Sequence, residues 1–262
     1  MGRFTRIPEN TFSGLQLDAG ILLRNFDPEN PAVQDADIIC ATTGGINPQC
    51  IASYEDMFED VDNAPNNMIE GKKLTGWDCK ISTTCLGNDP ETIRLTLGAA
   101  DRVGKTVRPR RDLNQGDFST IWWVGDRADG GFVAIKLLHA LSTGGFSLQT
   151  IKNGKGQISL ELTGHVSINA QNVVPMQFYS ADPVEVTVTN TLTNVTNSNT
   201  ATTAIVGQSY LATLQPADGY TLGTATVTMG GTDITSTSYD AGYITIDEVT
   251  GNIVITASGV AE

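Results

Sequence analysis

The chain has 262 residues and carries 29 Asp and Glu against 16 Lys and Arg, a net charge of −13. That balance favours solubility and opposes a surface built to grip nucleic-acid phosphates or anionic lipid. Every base lies at or before Lys155, so residues 156–262 hold no Lys or Arg at all.

No apolar run of about 18 residues occurs, so no membrane span is expected. The N-terminal MGRFTRIPENTF lacks the apolar core of a signal peptide, and Arg6 breaks the myristoylation pattern, so synthesis in a cytoplasm is expected. Residues 37–43 and 72–84 read as strands. Between them Glu55, Asp56, Glu59, Asp60 and Asp62 form an acidic run that fails as an EF-hand, because Ala64 and Pro65 fall where an oxygen ligand and the turn glycine belong. A solvated loop face, an acidic lining of a cavity or channel, and a calcium site remain as readings.

Asp89 as N-cap, Pro90 at the first helical position and Glu91 in the first turn predict one short helix, with Ile93, Leu95 and Leu97 before Gly98. The following Gly98 to Thr106 stretch imitates a phosphate loop. Five residues separate its glycines where four are required, and it follows a helix rather than a strand. FSTIWWV at 118–124 and FVAIKLL at 132–138 predict a hairpin with a long turn. Residues 157–168 alternate without a break: Ile158, Leu160, Leu162, Val166 and Ile168 on one face, Ser159, Glu161, Thr163, His165 and Ser167 on the other. The pattern predicts one long strand in an antiparallel sheet with a wet or partner-covered face. His165 is expected as a hydrogen-bonded surface or interface residue and His139 as a structural one.

Cys40, Cys50, Cys79 and Cys85 are separated by nine residues in the first pair and five in the last, without the CxxC spacing of zinc sites. In a reducing compartment they read as small buried hydrophobes. A boundary near Ser180-Ala181-Asp182-Pro183 predicts two domains, 1–182 and 183–262. The second is rich in alternating Thr, Val and Ile, with turns at Asp218-Gly219 and Gly230-Gly231, and with 243–246 and 253–256 as a closing hairpin. It suits a small immunoglobulin-like sandwich lacking the Cys, Trp, Cys signature of antibody domains. Asn194-Val195-Thr196 matches a glycosylation sequon, which has no meaning without secretion.

Several segments of the first domain, in order, carry a resemblance. TFSGLQLDAGILL, TGGIN, YEDMFEDVDNAPNN with KKLTGWDCKIS, DPETIRLTLGAAD, and IWWVGDRADGGFVAIKLLHALSTGGFSLQT leading into KGQISLELTGHVSI resemble the major tail tube proteins of long-tailed bacteriophages infecting Gram-positive hosts. The resemblance spans about residues 8–180, and DGYTLGTATVTMGGTDIT resembles immunoglobulin-like modules of phage virion and bacterial surface proteins. It implies a mainly β protomer, a sandwich or half-barrel with one flanking helix, that forms usually hexameric rings stacked into a tube conducting DNA. It further implies a loop reaching the neighbouring ring, placed by position at 54–73 with Tyr54, Glu55, Asp56, Glu59, Asp60, Asp62, Lys72 and Lys73. The polar face Ser159, Glu161, Thr163, His165 and Ser167 becomes the ring-lining strand. Implied partners are further copies of the chain, the tape measure, terminator and distal tail proteins, DNA in transit, and host surface polysaccharide touched weakly by the C-terminal module. No cofactor, metal or catalytic residue is expected, and the location is the virion tail. Two other classes stay open: a terminator or baseplate ring component of the same fold, and an enzyme or glycan-binding module.

Overall fold

The computed structural model describes residues 7, 8 and 11–262. The reading of targeting signals rests largely on residues 1–6, 9 and 10, which lie outside the described residues. The chain is mainly β and divides into two compact units. One comprises residues 16–126 and 133–181; the other comprises 127–132, 182–262 and the described residues before 16.

In the first unit the strands are β1 (Ile21–Leu23), β2 (Thr42–Asp56), β3 (Lys72–Cys85), β4 (Ala100–Val103), β5 (Thr106–Pro109), β6 (Ser119–Asp126), β7 (Phe132–Ser142), β8 (Leu148–Gln149), β9 (Gln157–Thr163) and β10 (Met176–Ala181). An eight-stranded sheet runs β1-β6-β7-β9-β3-β2, with β10 on β7 and β8 on β9. Strand β6 lies inside this sheet and is covered on both faces, which is why its sequence reads IWWV rather than alternating. Trp123 joins the core cluster and donates from Nε1 to the Ala19 carbonyl at 3.0 Å. Trp122 packs against Phe26 and Tyr179, with Lys136 Nζ 5.0 Å above its ring. Leu22, Ile81, Leu137, Ile158, Leu160 and Leu162 fill the core at 0–1 % exposure, each contributing about 1.5–3 kcal/mol by burial.

Helix α1 (Pro90–Leu97) forms where its caps predict. Asp89 accepts from the Glu91 and Thr92 amides at 3.0 and 3.1 Å, and Gly98 closes the helix at φ 72°. A Cβ on Gly98 would stand 3.0 Å from the Ser142 carbonyl. The helix buries Thr92, Leu95 and Thr96, leaving Ile93 and Leu97 half-buried. Gly104 turns β4 back onto β5, so the stretch resembling a phosphate loop is a β-hairpin.

Three expectations for this unit are corrected. The strand expected at 37–43 begins only at Thr42, because Asp35–Asp37 forms a 3-10 turn and Ile38 makes a single bridge to Leu23. The strand expected at 157–168 ends at Thr163. Gly164 passes so close to the Leu137 side chain that a Cβ would lie 2.6 Å from it, and Ser167 then caps a 3-10 turn, Ile168–Ala170. Val166 and Ile168 therefore end up 52 % and 80 % exposed rather than inside. Finally, the cysteines are not all free thiols: Cys40 and Cys85 form a disulfide, bringing together residues 45 apart in sequence, which spacing alone does not reveal.

The second unit contains β11 (Glu185–Thr193), β12 (Val195–Asn197), β13 (Thr203–Ile205), β14 (Tyr210–Pro216), β15 (Tyr220–Met229), β16 (Thr232–Asp233), the four-residue helix α2 (Thr235–Ser238), β17 (Tyr239–Asp240), β18 (Tyr243–Ile246) and β19 (Ile253–Ala261). A sheet β13-β11-β19-β15-β16 and a sheet β12-β14-β18-β17 share one core that includes Tyr210, Leu214, Val227, Ile244, Ile253 and Ile255. Burial alternates strictly along β18 and the first part of β19, as the sequence pattern predicts for a sandwich. The Gly230-Gly231 turn, with φ 57° and 84°, joins β15 to β16. The expected closing hairpin is corrected: β18 and β19 belong to different sheets, and the segment between them crosses the core with Val249 fully buried. Its Gly251 and Asn252 look like hairpin residues. The inward Ile244, Ile246, Ile253 and Ile255 all demand burial, which opposed sheets supply. Strands β11 and β19 pair in parallel over Val188 to Thr193, an arrangement the local turn signals do not encode.

Candidate functional site

The β2–β3 ribbon is the longest strand pair of the first unit, and its far end stands largely exposed. Its strands pair from Thr42 opposite Cys85 to Asp56 opposite Lys72, with irregularities at Gly44-Gly45 and near Tyr54. Strand β9 covers β3 only over Lys80 to Cys85, and there every second β3 residue is buried. Beyond that point Lys72 to Asp78 are exposed or half-buried and pair with β2 alone. At about 3.3 Å per residue, the five residues from Ala52 to Asp56 carry the ribbon roughly 17 Å.

Among the described residues β2 pairs only with β3, so its fifteen-residue outer edge has no strand beside it. Pro48 is tolerated there because an edge strand leaves part of its backbone without ladder partners. Side chains on the ribbon and its tip are apolar to an unusual degree for an exposed element: Ile51 56 %, Tyr54 63 %, Leu74 46 %, Trp77 41 % and Ile69 84 % exposed. Sequence reasoning missed Ile51, Leu74 and Trp77: Leu74 and Trp77 stand three apart across Gly76, and the ladder shifts register between Ser53 and Tyr54, so no period-two pattern marks them.

The expected assembly loop at 54–73 is shorter than its sequence suggests. Tyr54, Glu55 and Asp56 are strand residues opposite Leu74, Lys73 and Lys72, so the loop proper is 57–71. The opposite charges Glu55 and Lys73, and Asp56 and Lys72, hold the register where the ribbon ends; Lys72 Nζ lies 3.7 Å from Asp56. Such a pair contributes at most about 1 kcal/mol in solvent. Asp56 also accepts from the Phe58 and Asn67 amides, both at 3.2 Å, and Met57 donates to the Gly71 carbonyl at 2.8 Å. The carboxylate thus organises the loop as an Asx-type anchor. Glu59, Asp60 and Asp62 are exposed around the tip, and among the described residues no three His, Cys, Asp or Glu converge as a metal site.

The residues expected to line a ring divide in two. Ser159, Glu161 and Thr163 share one face of β9; Thr143 donates its hydroxyl to Glu161 at 3.3 Å and lies 2.7 Å from the Thr163 hydroxyl. His165 and Ser167 lie past the strand and do not continue that face. The His165 Nδ1 proton is donated to the His139 carbonyl at 3.1 Å, and its ring meets Phe118 edge-on at 5.3 Å. These residues and Ile168 border a shallow cavity of about 480 Å³ that contains both histidines of the chain. His139 adopts φ 47°, a left-handed conformation within β7 that directs its carbonyl to His165.

Comparison with known protein families and with curated proteins finds no match. No helix among the described residues is long and apolar enough to cross a membrane. An unpaired strand edge next to exposed Ile, Tyr, Leu and Trp can add backbone hydrogen bonds and bury apolar area in one step, which is the chemistry of β-sheet extension.

Proposed function

We propose that this chain is a structural virion protein, a major tail tube subunit of a long-tailed bacteriophage, that self-assembles into stacked, hexameric rings through which DNA is delivered. The observation that carries the reading is the long outer edge of β2 continuing into a two-stranded, apolar-decorated ribbon. Edges of this kind are templates for pairing with another chain unless charge, shortness or a covering element blocks them. The ordered series of segments resembling tail tube proteins supports the same reading, and the net charge of −13 would keep passing DNA from adhering to the wall.

In this reading the ribbon and loop 57–71 reach a neighbouring subunit or ring, and Ser159, Glu161 and Thr163 belong to the surface facing the lumen. The tube works with tape measure, terminator and distal tail proteins, needs no cofactor and catalyses no reaction. The C-terminal, immunoglobulin-like unit decorates the exterior and adheres weakly to host surface polysaccharide. Negative-stain microscopy of the purified protein at high concentration, paired with sedimentation, tests the proposal. Open-ended stacks are expected; closed single rings would instead favour a terminator or baseplate component. A strictly monomeric species at every concentration and salt, and in particles from infected cells, would sink both.

A further inference from the structure

The four cysteines of the chain gather on the β2–β3 ribbon and the residues just before it, as one disulfide and one directly opposed pair of thiols. Cys40, just before β2, is joined to Cys85 at the end of β3. Inside that closure Cys50 and Cys79 stand directly opposite each other, their Sγ atoms 3.3 Å apart. Directly opposed residues in an antiparallel pair have Cα separations of about 4.5–5.5 Å, within the range a disulfide spans. The two thiols differ in access: Cys79 is 1 % exposed within the core, whereas Cys50 is half-buried on the edge strand.

We propose that Cys50 and Cys79 are a dithiol that small-molecule disulfides oxidise to a second cross-strand disulfide, nested within the first, which staples the ribbon at its middle. The inference is independent of the tube reading. The oxidant is a low-molecular-weight disulfide, RSSR. The Cys50 thiolate attacks one sulfur of RSSR and expels one RS⁻, leaving the other RS group bonded to the Cys50 sulfur as a mixed disulfide. Cys79 loses its proton to water, attacks the Cys50 sulfur and expels the second RS⁻. In sum two protein thiols are oxidised to one disulfide, and RSSR is reduced to two RSH.

The order of events follows from the surroundings. Burial, then the hydrogen bond and charge of Cys50 and the charge of Asp78, push the Cys79 thiol up to about 12. Cys79 therefore stays protonated and acts second, whereas Cys50 meets solvent and acts first. A protein made among reducing thiols and then released into an oxidising medium would acquire the staple after folding, because the folded sheet supplies the alignment.

The test uses the full chain. The protein is reduced with a dithiol, freed of it, exposed to oxidised glutathione, and then alkylated under denaturing conditions for intact mass and unreduced peptide mapping. Alkylatable thiols should fall from four to none, with Cys40 linked to Cys85 and Cys50 to Cys79. Two surviving thiols at Cys50 and Cys79, a glutathione remaining on wild-type Cys50, or any other linkage would overturn the proposal. Cys79→Ser should trap one glutathione on Cys50. Cys50→Ser should leave Cys79 unmodified while folded, so modification of Cys79 in that variant would refute the order of attack even if Cys79→Ser fails to fold.

Discussion

Replacing Ile51 by Thr separates the role of the β2 edge in assembly from its role in the protomer. Threonine is also β-branched, so strand propensity is kept while apolar surface is removed. Ile51 is 56 % exposed. Complete burial of an isoleucine contributes about 1.5–3 kcal/mol, so covering the exposed 56 % in a subunit contact contributes about 0.8–1.7 kcal/mol. At about 1.4 kcal/mol per factor of ten, each contact should weaken roughly 4- to 16-fold. The free protomer should change by about 0.5 kcal/mol or less, as surface substitutions usually do. Sedimentation across a concentration series reads the assembly threshold, and thermal unfolding of the dilute protein reads the protomer. An unchanged threshold with normal particles would show that the β2 edge lies outside the subunit contact.

Further expectations concern loop, module and helix. Deleting residues 60–67 should leave a soluble, folded protomer that makes no tubes by negative stain, since the ribbon pairs remain and only the tip is shortened; normal tubes would refute the loop's role. A chain ending at Asp182 should still fold and assemble but lose reversible adsorption to host cells, while 184–262 alone should unfold cooperatively with a modest margin. Tubes that require the second unit would place it in the assembly interface. Asp89→Ala should cost about 0.5–2 kcal/mol by chemical denaturation, as loss of an N-cap does. Burial pushes the Asp89 carboxyl up, but hydrogen bonds from the Thr92 hydroxyl and the Thr92 and Glu91 amides outweigh it and hold the group below its ordinary 3.8. Because the folded-state value is depressed, this part of the cap's contribution is present above pH 3.8 and is lost as pH falls through the lower folded value. The gap between wild type and Asp89→Ala should narrow there, and a gap unaffected by pH would contradict the carboxylate's role.

The features legible in sequence are those set by local chemistry. Asp89, Pro90 and Gly98 delimit a helix because caps act within one turn, and Gly230-Gly231 marks a hairpin because positive φ is required there. Ile158, Leu160 and Leu162 alternate because one face of β9 is core. What escaped depends on distant neighbours. Strand β2 hides behind Gly44, Gly45 and Pro48, which suit an edge strand and a bulge but look like breakers when the partner strand is unknown. The end of β9 at Gly164 is fixed by Leu137 and Pro175, far away in sequence. Ile253 follows a hairpin-like turn yet pairs with Val188 on β11, because inward isoleucines can be buried by either sheet. Of the proposed surface, the charged tip residues were visible and the apolar Ile51, Leu74 and Trp77 were not.

The parallel pairing of β11 with β19 has a mechanical consequence. Parallel neighbours run the same way, so the start of the first strand and the end of the last lie at opposite ends of the shared ladder. Tension between Glu185 and Ala261 then loads the pairs from Val188 with Ile253 to Thr193 with Ser258 in shear, where they must give way together. An antiparallel pairing of first and last strands would bring the two attachment points to one end and let the ladder open pair by pair. Pulled from its ends in a single-molecule stretching experiment, the second unit should resist as a clamp and break in one event rather than unzip.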